Sequence, residues 1–193
     1  VNEVHRLNLE RQARWPTALL TTSTHDTKRS EDVRTRINVL SELPREWRRR
    51  VHAWRRINRG KKATLDGQPV PDANEEYLLY QTLVGVWPLE PLSAASLGEF
   101  VKRLQQFMFK AVREAKVHAS WLNPAPDYEQ AVTRFVAAIL DPRTSRAFLA
   151  DFLPFQRDVA RWGMYASLAQ TLLKLTTPGV PDLYQGTELW DLS

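Results

Sequence analysis

The sequence has 193 residues, 43% of them apolar and 25% charged, with a net charge of +5 and no Cys. This is globular composition: it excludes intrinsic disorder and, with 12 Pro, 7 Gly and no repeat, the collagen-like and low-complexity classes. Lack of Cys excludes disulfide frameworks, cysteine nucleophiles and thiolate metal sites, and no apolar run approaches the ~20 residues that cross a bilayer, so a soluble protein is expected.

The opening Val1–Arg6 lacks the basic-then-apolar layout of a signal peptide, and because no initiator Met is present and Val1-Asn2 reads like the interior of a helix, the chain is expected to begin mid-sequence. After Pro16, the β-prone run 17–22 predicts a short buried strand, with Ser23–Thr27 as a polar loop at its C-terminal end. Ser30 is a suitable N-cap, Glu31 and Asp32 suit the positive end of a helix dipole, and Val33, Ile37 and Leu40 form a stripe that stops before Pro44. A second helix is expected from Pro44 to Asn58, then a basic loop from Arg59 to Pro71. Asp72 or Asn74 caps the next helix, which runs through Tyr77, Leu79, Leu83 and Val86 to end before Pro88. Ser93 or Ser96 opens a helix of about five turns, from Leu97 to Ala115 by its apolar repeat. A Pro-rich loop around Pro124 and Pro126 leads to a stripe of Tyr128, Val132, Phe135 and Ile139, and two further helices broken near Pro154 are expected between Ser145 and Thr177. The segment Val180–Tyr184 is again β-prone. The order is thus strand, many helices, strand, with no sheet of its own in between. One or two isolated strands cannot stabilise themselves, which places the two ends in a larger α/β body.

Charge is uneven along this order. Between Lys28 and Lys62, 13 Lys/Arg stand against Glu31, Asp32, Glu42 and Glu46. In the densest part Trp47, Val51, Trp54 and Ile57 share one helical face, and the arginines take the other. A basic stripe interleaved with aromatics can bind nucleic acid. Here the aromatics point away from the arginines, and a solvated face on an amphipathic helix is the preferred reading.

The residues able to carry chemistry are few. His25 and Asp26 follow the first strand, and such a pair is ordinarily a turn or cap. In a (β/α)8 barrel, however, the loops after the strands build the active site. Lys28 and Arg29 follow and can hydrogen-bond a polyhydroxylated or anionic ligand, surface charge being the plainer reading. His52 and His118 read as isolated, so no metal set is expected. Trp121 and Trp190 lie outside the long stripes and can stack on sugar rings, with packing as the default.

The run Thr21-Thr22-Ser23-Thr24-His25-Asp26-Thr27-Lys28-Arg29-Ser30-Glu31-Asp32-Val33-Arg34 resembles the seventh-strand segment of the α-amylase superfamily, in the version found in maltooligosyltrehalose synthases. Asn74-Glu75-Glu76-Tyr77, the run 110–118, Ser120-Trp121 and the run 167–171 resemble the same enzymes, and Pro178–Leu189 is similar to the eighth-strand segment. Thr24 stands where many amylases have Asn, in agreement with the synthase version. The resemblance implies a mainly α fragment: a helical subdomain inserted between two strands of a (β/α)8 barrel, with short strands only at its two ends. Residues 1–43 and 161–193 would be barrel pieces and 44–160 the insertion.

It further implies that Asp26 is the catalytic carboxylate that stabilises the transition state. His25, Lys28, Tyr184 and Glu188 would bind substrate, and the nucleophile and general acid would lie outside the fragment. The implied reaction converts the reducing-end α-1,4 linkage of a maltooligosaccharide into an α-1,1 linkage by intramolecular transglucosylation. No cofactor and no nucleic-acid or membrane partner is implied; the partners are the α-glucan and the remainder of the parent chain, in the cytoplasm, and the fragment alone would be inactive. An α-glucan hydrolase or transglycosylase of the same superfamily and a basic helical nucleic-acid-binding module are the alternatives.

Overall fold

The computed structural model describes residues 1–188 and 190–192. Leu189 and Ser193, the last residue of the eighth-strand resemblance and the last of the expected third unit, lie outside the described residues. Helix α1 (Asn2–Arg14) leads the chain and buries none of its residues. Strand β1 (Leu19–Leu20) then pairs in parallel with β4 (Val180–Pro181), Leu19 opposite Val180 and Leu20 opposite Pro181. The N–H of Val180 donates to Ala18 O and that of Asp182 to Leu20 O, each at 2.9 Å. Both strands are shorter than expected, and Leu19 is 72% exposed where a buried strand was anticipated. The reason is physical: among the described residues no third strand joins this pair.

Between the strands lie helices α2 (Glu31–Val39), α3 (Pro44–Asn58), α4 (Ala73–Val86), α5 (Ala94–Ala115), α6 (Pro126–Leu140) and α7 (Arg146–Thr176). Their starts follow local chemistry. Ser30 accepts the N–H of Val33, Ser93 that of Ser96, and Asp72 forms a reciprocal capping box with Glu75, while Pro44 and Pro126 open α3 and α6.

Two expectations are corrected. The stretch Arg59–Pro71 contains a hairpin, β2 (Ala63–Leu65) and β3 (Gln68–Val70), joined by Asp66-Gly67 with φ of +48° and +76°. Two positive φ values in a two-residue loop match the right-handed twist of the strands, and Asp-Gly is the sequence signal for that turn. The second correction is α7, one helix of 31 residues with Pro154 inside it. Pro154 costs about 3 kcal/mol by removing a backbone hydrogen bond. Phe148, Phe152, Phe155 and Val159 on either side are all buried, and each such side chain gains about 1.5–3 kcal/mol on leaving water. Packing on both flanks therefore outweighs the break.

Trp54 of α3 sits at the centre of the core, with the rings of Tyr80, Phe148, Phe152 and Phe155 at centroid distances of 5.4 to 5.9 Å. Beside it Glu76 is wholly buried, with Lys62 Nζ at 2.6 Å and Tyr80 OH donating to it at 2.8 Å. Burial and the Glu76 charge push the Tyr80 hydroxyl well above its ordinary pKa, so it stays a donor.

Helix α2 lies close against α4 and α7 because glycines stand at both crossings. A Cβ on Gly85 would meet Val33 Cγ1 at 2.8 Å, and one on Gly163 would meet Arg36 Cγ at 2.5 Å and Arg36 Cα at 3.0 Å. Arg36 cannot swing away, since its buried Nη1 donates to Trp87 O at 2.6 Å and Gly85 O at 3.3 Å. Burial lowers its pKa to about 10, against the opposing pull of Asp32, which leaves it cationic at neutral pH. Gly163→Ala would gain about 1 kcal/mol of helix propensity, but overpacking costs about 1–3 kcal/mol. We therefore expect a lower urea midpoint for Gly163→Ala; an unchanged or raised midpoint would show that the two helices can separate cheaply.

Candidate functional site

Because β1 and β4 are parallel neighbours, the segments that follow them leave the pair at the same end. From β1 come Thr24–Thr27, a turn closed by Thr27 N–H donating to Thr24 O at 3.0 Å and by Thr24 N–H donating to Thr27 Oγ1 at 2.8 Å. His25 and Asp26 are its two central residues and therefore point outward, their side chains 82% and 89% exposed, with His25 Nε2 3.3 Å from Asp26 Oδ2. From β4 comes a 3-10 turn, Tyr184–Gly186, with Gln185 at φ +54°. Tyr184 is half-buried and Glu188 exposed. Among the described residues neither makes a hydrogen bond or ion pair to His25, Asp26 or Lys28. The predicted site residues are thus brought to one edge of the fold without a closed pocket around them. Lys28 Nζ lies 3.5 Å from Glu114 Oε2, an exposed pair worth at most about 1 kcal/mol and easily exchanged for a ligand.

What holds the His25-Asp26 turn in place is a buried polar clamp. Glu31, at the start of α2, accepts from Thr22 Oγ1 and, at 3.3 Å, from Ser23 Oγ. Lys174 of α7 donates to Thr22 Oγ1 at 2.8 Å and lies 3.3 Å from Glu31 Oε1, both charged side chains being buried. Arg34 donates to Thr22 O and, at 3.0 Å, to Ser23 Oγ. On the far side of the turn, Arg29 donates to Thr82 Oγ1 at 2.7 Å and lies over the Phe107 ring, and burial lowers its pKa. Arg29 is therefore half-buried and anchored to α4 and α5. More broadly, Arg29, Arg34, Arg36, Arg50 and Lys62 of the basic block all bond across the fold, Arg36 buried and the other four half-buried.

Trp121 is half-exposed, but Arg113 lies over its ring at 4.9 Å and Phe109 meets it edge-on at 6.2 Å. Trp190 is 45% exposed and His52 exposed. His118 is not isolated: its Nε2 lies 2.9 Å from Asp72 Oδ2 and its ring stacks on Tyr128. Sequence reading missed this because 46 residues separate His118 from Asp72.

No family model matches the chain. A Mycobacterium tuberculosis protein carrying the maltooligosyl trehalose synthase name is 39% identical over 98% of this chain, which spans 22% of that protein. A crystal structure of a maltooligosyl trehalose synthase superposes with a TM-score of 0.81 at 39% identity, covering 97% of this chain and 24% of that one. The chain belongs to the maltooligosyl trehalose synthase family. A glycosyltrehalose synthase structure agrees, with a TM-score of 0.80 at 40% identity over 98% of this chain and 23% of that one. The chain thus spans less than a quarter of the length of these synthases.

Within this synthase segment the clamp gives a direct test. Lys174→Met leaves the Glu31 carboxylate buried with only hydroxyl donors, which costs about 1–3 kcal/mol. Adding Glu31→Gln to the same chain removes the unpaired charge and should recover part of that loss. Urea denaturation of the single and double variants would read both effects, and a single variant as stable as the parent would mean that Glu31 is already solvated.

Proposed function

We propose that this chain is part of an enzyme that converts the reducing-end α-1,4 linkage of a maltooligosaccharide into an α-1,1 linkage by intramolecular transglucosylation, a glucosylmutase reaction. The observation that carries the reading is the parallel β1–β4 pair, which sets the His25-Asp26 turn and the Tyr184–Glu188 segment at the same strand ends. In the proposed whole protein these strands are the seventh and eighth of a (β/α)8 barrel. Residues 1–43 and 161–193 belong to that barrel, residues 44–160 form the inserted helical subdomain, and the enzyme works in the cytoplasm.

A retaining mechanism needs a nucleophile and an acid/base carboxyl about 5–5.5 Å apart. Both are supplied from outside this chain, so the 193 residues alone are inactive. Asp26 contributes the third carboxylate. It accepts hydrogen bonds from hydroxyls of the sugar being attacked and favours the positively charged, distorted transition state over the ground state. His25, 3.3 Å from it, donates to the same sugar when neutral. The released glucose must be held while it turns and rejoins through its anomeric oxygen, with water excluded. Lys28, Tyr184 and Glu188 are the proposed contacts for that glucose.

The test is a reducing-end assay with maltopentaose on the longer protein that carries this segment. Reducing ends should disappear without release of glucose. A gain of reducing ends would instead make the enzyme a hydrolase, and no change would overturn both readings.

A further inference from the structure

We propose that Asp72, Glu75 and His118 form a binding site for one divalent transition-metal ion of the Zn2+ class, in the helical unit and separate from the Asp26 turn. Asp72 precedes α4 and Glu75 lies in its first turn. Helix α5 ends at Ala115, and its C-cap Lys116, with a left-handed φ of +57°, turns the chain so that His118 meets Asp72. One ligand atom from each of the three residues lies within 4.8 Å of the other two, and His118 Nε2 is 2.9 Å from Asp72 Oδ2.

The carboxylates are held from behind and left open in front. Asp72 Oδ1 accepts the Glu75 N–H at 2.8 Å, and Glu75 Oε2 accepts the Asp72 N–H at 3.1 Å and the Tyr128 hydroxyl at 2.5 Å. Asp72 Oδ2 and Glu75 Oε1 are not used by the capping box. The His118 ring stacks on Tyr128 with centroids 4.5 Å apart and planes 21° from parallel. Tyr128 therefore orients two of the three ligands, the kind of outer support on which metal affinity depends.

The donor set decides the class of ion. One imidazole and two carboxylates suit Zn2+ and its neighbours in the transition series, whereas Mg2+ and Ca2+ prefer six or more oxygens. Three protein ligands leave a coordination position for water. A groove lined by Leu65, Gln68, Pro69, Ala125 and Asp127 reaches the cluster from solvent. The ion would replace the hydrogen bond between His118 and Asp72 and tie the loop after α5 to the start of α4.

Calorimetric titration of the 193-residue chain with Zn2+, and visible absorption on adding Co2+, test the proposal. One ion per chain should bind, with d–d bands of a site of mixed nitrogen and oxygen ligands, and excess Mg2+ should not displace it. His118→Ala and Glu75→Gln should each weaken binding by at least about tenfold. His118 is exposed and Gln can still accept the capping bond, so circular dichroism should show both variants folded. Absence of binding, binding untouched by both substitutions, or displacement by Mg2+ would each overturn the site.

Discussion

Asp26→Asn in the longer enzyme should lower kcat by at least about 10²–10³-fold, the scale seen when one group aimed at developing charge is removed. Asn keeps the size and most of the hydrogen-bonding capacity of Asp but carries no negative charge. It can still hold sugar hydroxyls in the ground state, so KM should move far less than kcat. The structure separates this effect from folding. Asp26 sits at the tip of a turn with its side chain 89% exposed, and among the described residues its backbone N–H bonds only to Thr24 Oγ1, at 3.3 Å. The urea midpoint of the 193-residue chain should therefore be unchanged by Asp26→Asn, within the ±0.5 kcal/mol or so typical of surface substitutions. Near-normal turnover on maltopentaose, measured as the rate at which reducing ends disappear, would remove Asp26 from the mechanism. Lost turnover with lost stability would make its role structural.

What the sequence made legible was local. The caps at Ser30, Asp72 and Ser93 follow from a side chain that bonds to backbone three residues away, and the start of α3 at Pro44 follows from the fixed φ of proline, which suits a first helical turn. The turn of His25 and Asp26 was equally legible, because its bonds run between Thr24 and Thr27. What was not legible depended on partners far along the chain. Lys174 has no partner close in sequence, and only α7 brings it to Glu31, 143 residues earlier. Arg29 reads as surface charge for the same reason, since Thr82 lies 53 residues further on. The hairpin was a different kind of miss, since the Asp66-Gly67 signal was present and the basic, Pro-containing stretch around it masked the turn. Pro154 shows the converse, a strong local signal overruled by packing on both sides of it.

Trp54→Ala should cost about 3–5 kcal/mol, the range for emptying a fully packed aromatic site. Trp54 is wholly buried, with five rings around it: Trp47, Tyr80, Phe148, Phe152 and Phe155, all within 5.9 Å between centroids. These come from α3, α4 and α7, so no single side-chain shift can fill the cavity. Its Nε1–H also donates to Asp151 Oδ2 at 2.7 Å, but that carboxylate is 44% exposed and keeps Arg50 at 2.7 Å, so water can take the place of the indole. Trp54→Phe, which loses the N–H and keeps most of the ring, should therefore cost much less than Trp54→Ala. Urea unfolding of both variants decides the point, and equal losses would assign the stability to the hydrogen bond instead of the rings. The effect should also reach the Asp26 end. Helix α7 carries Phe148, Phe152 and Phe155 near its start and Lys174 near its finish, without a break at Pro154. One element thus serves both the aromatic core and the clamp on the turn. Trp54→Ala is expected to lower the unfolding midpoint seen by circular dichroism and the hydrogen-exchange protection around Lys174 together, whereas protection lost only near Trp54 would mean that α7 yields at Pro154.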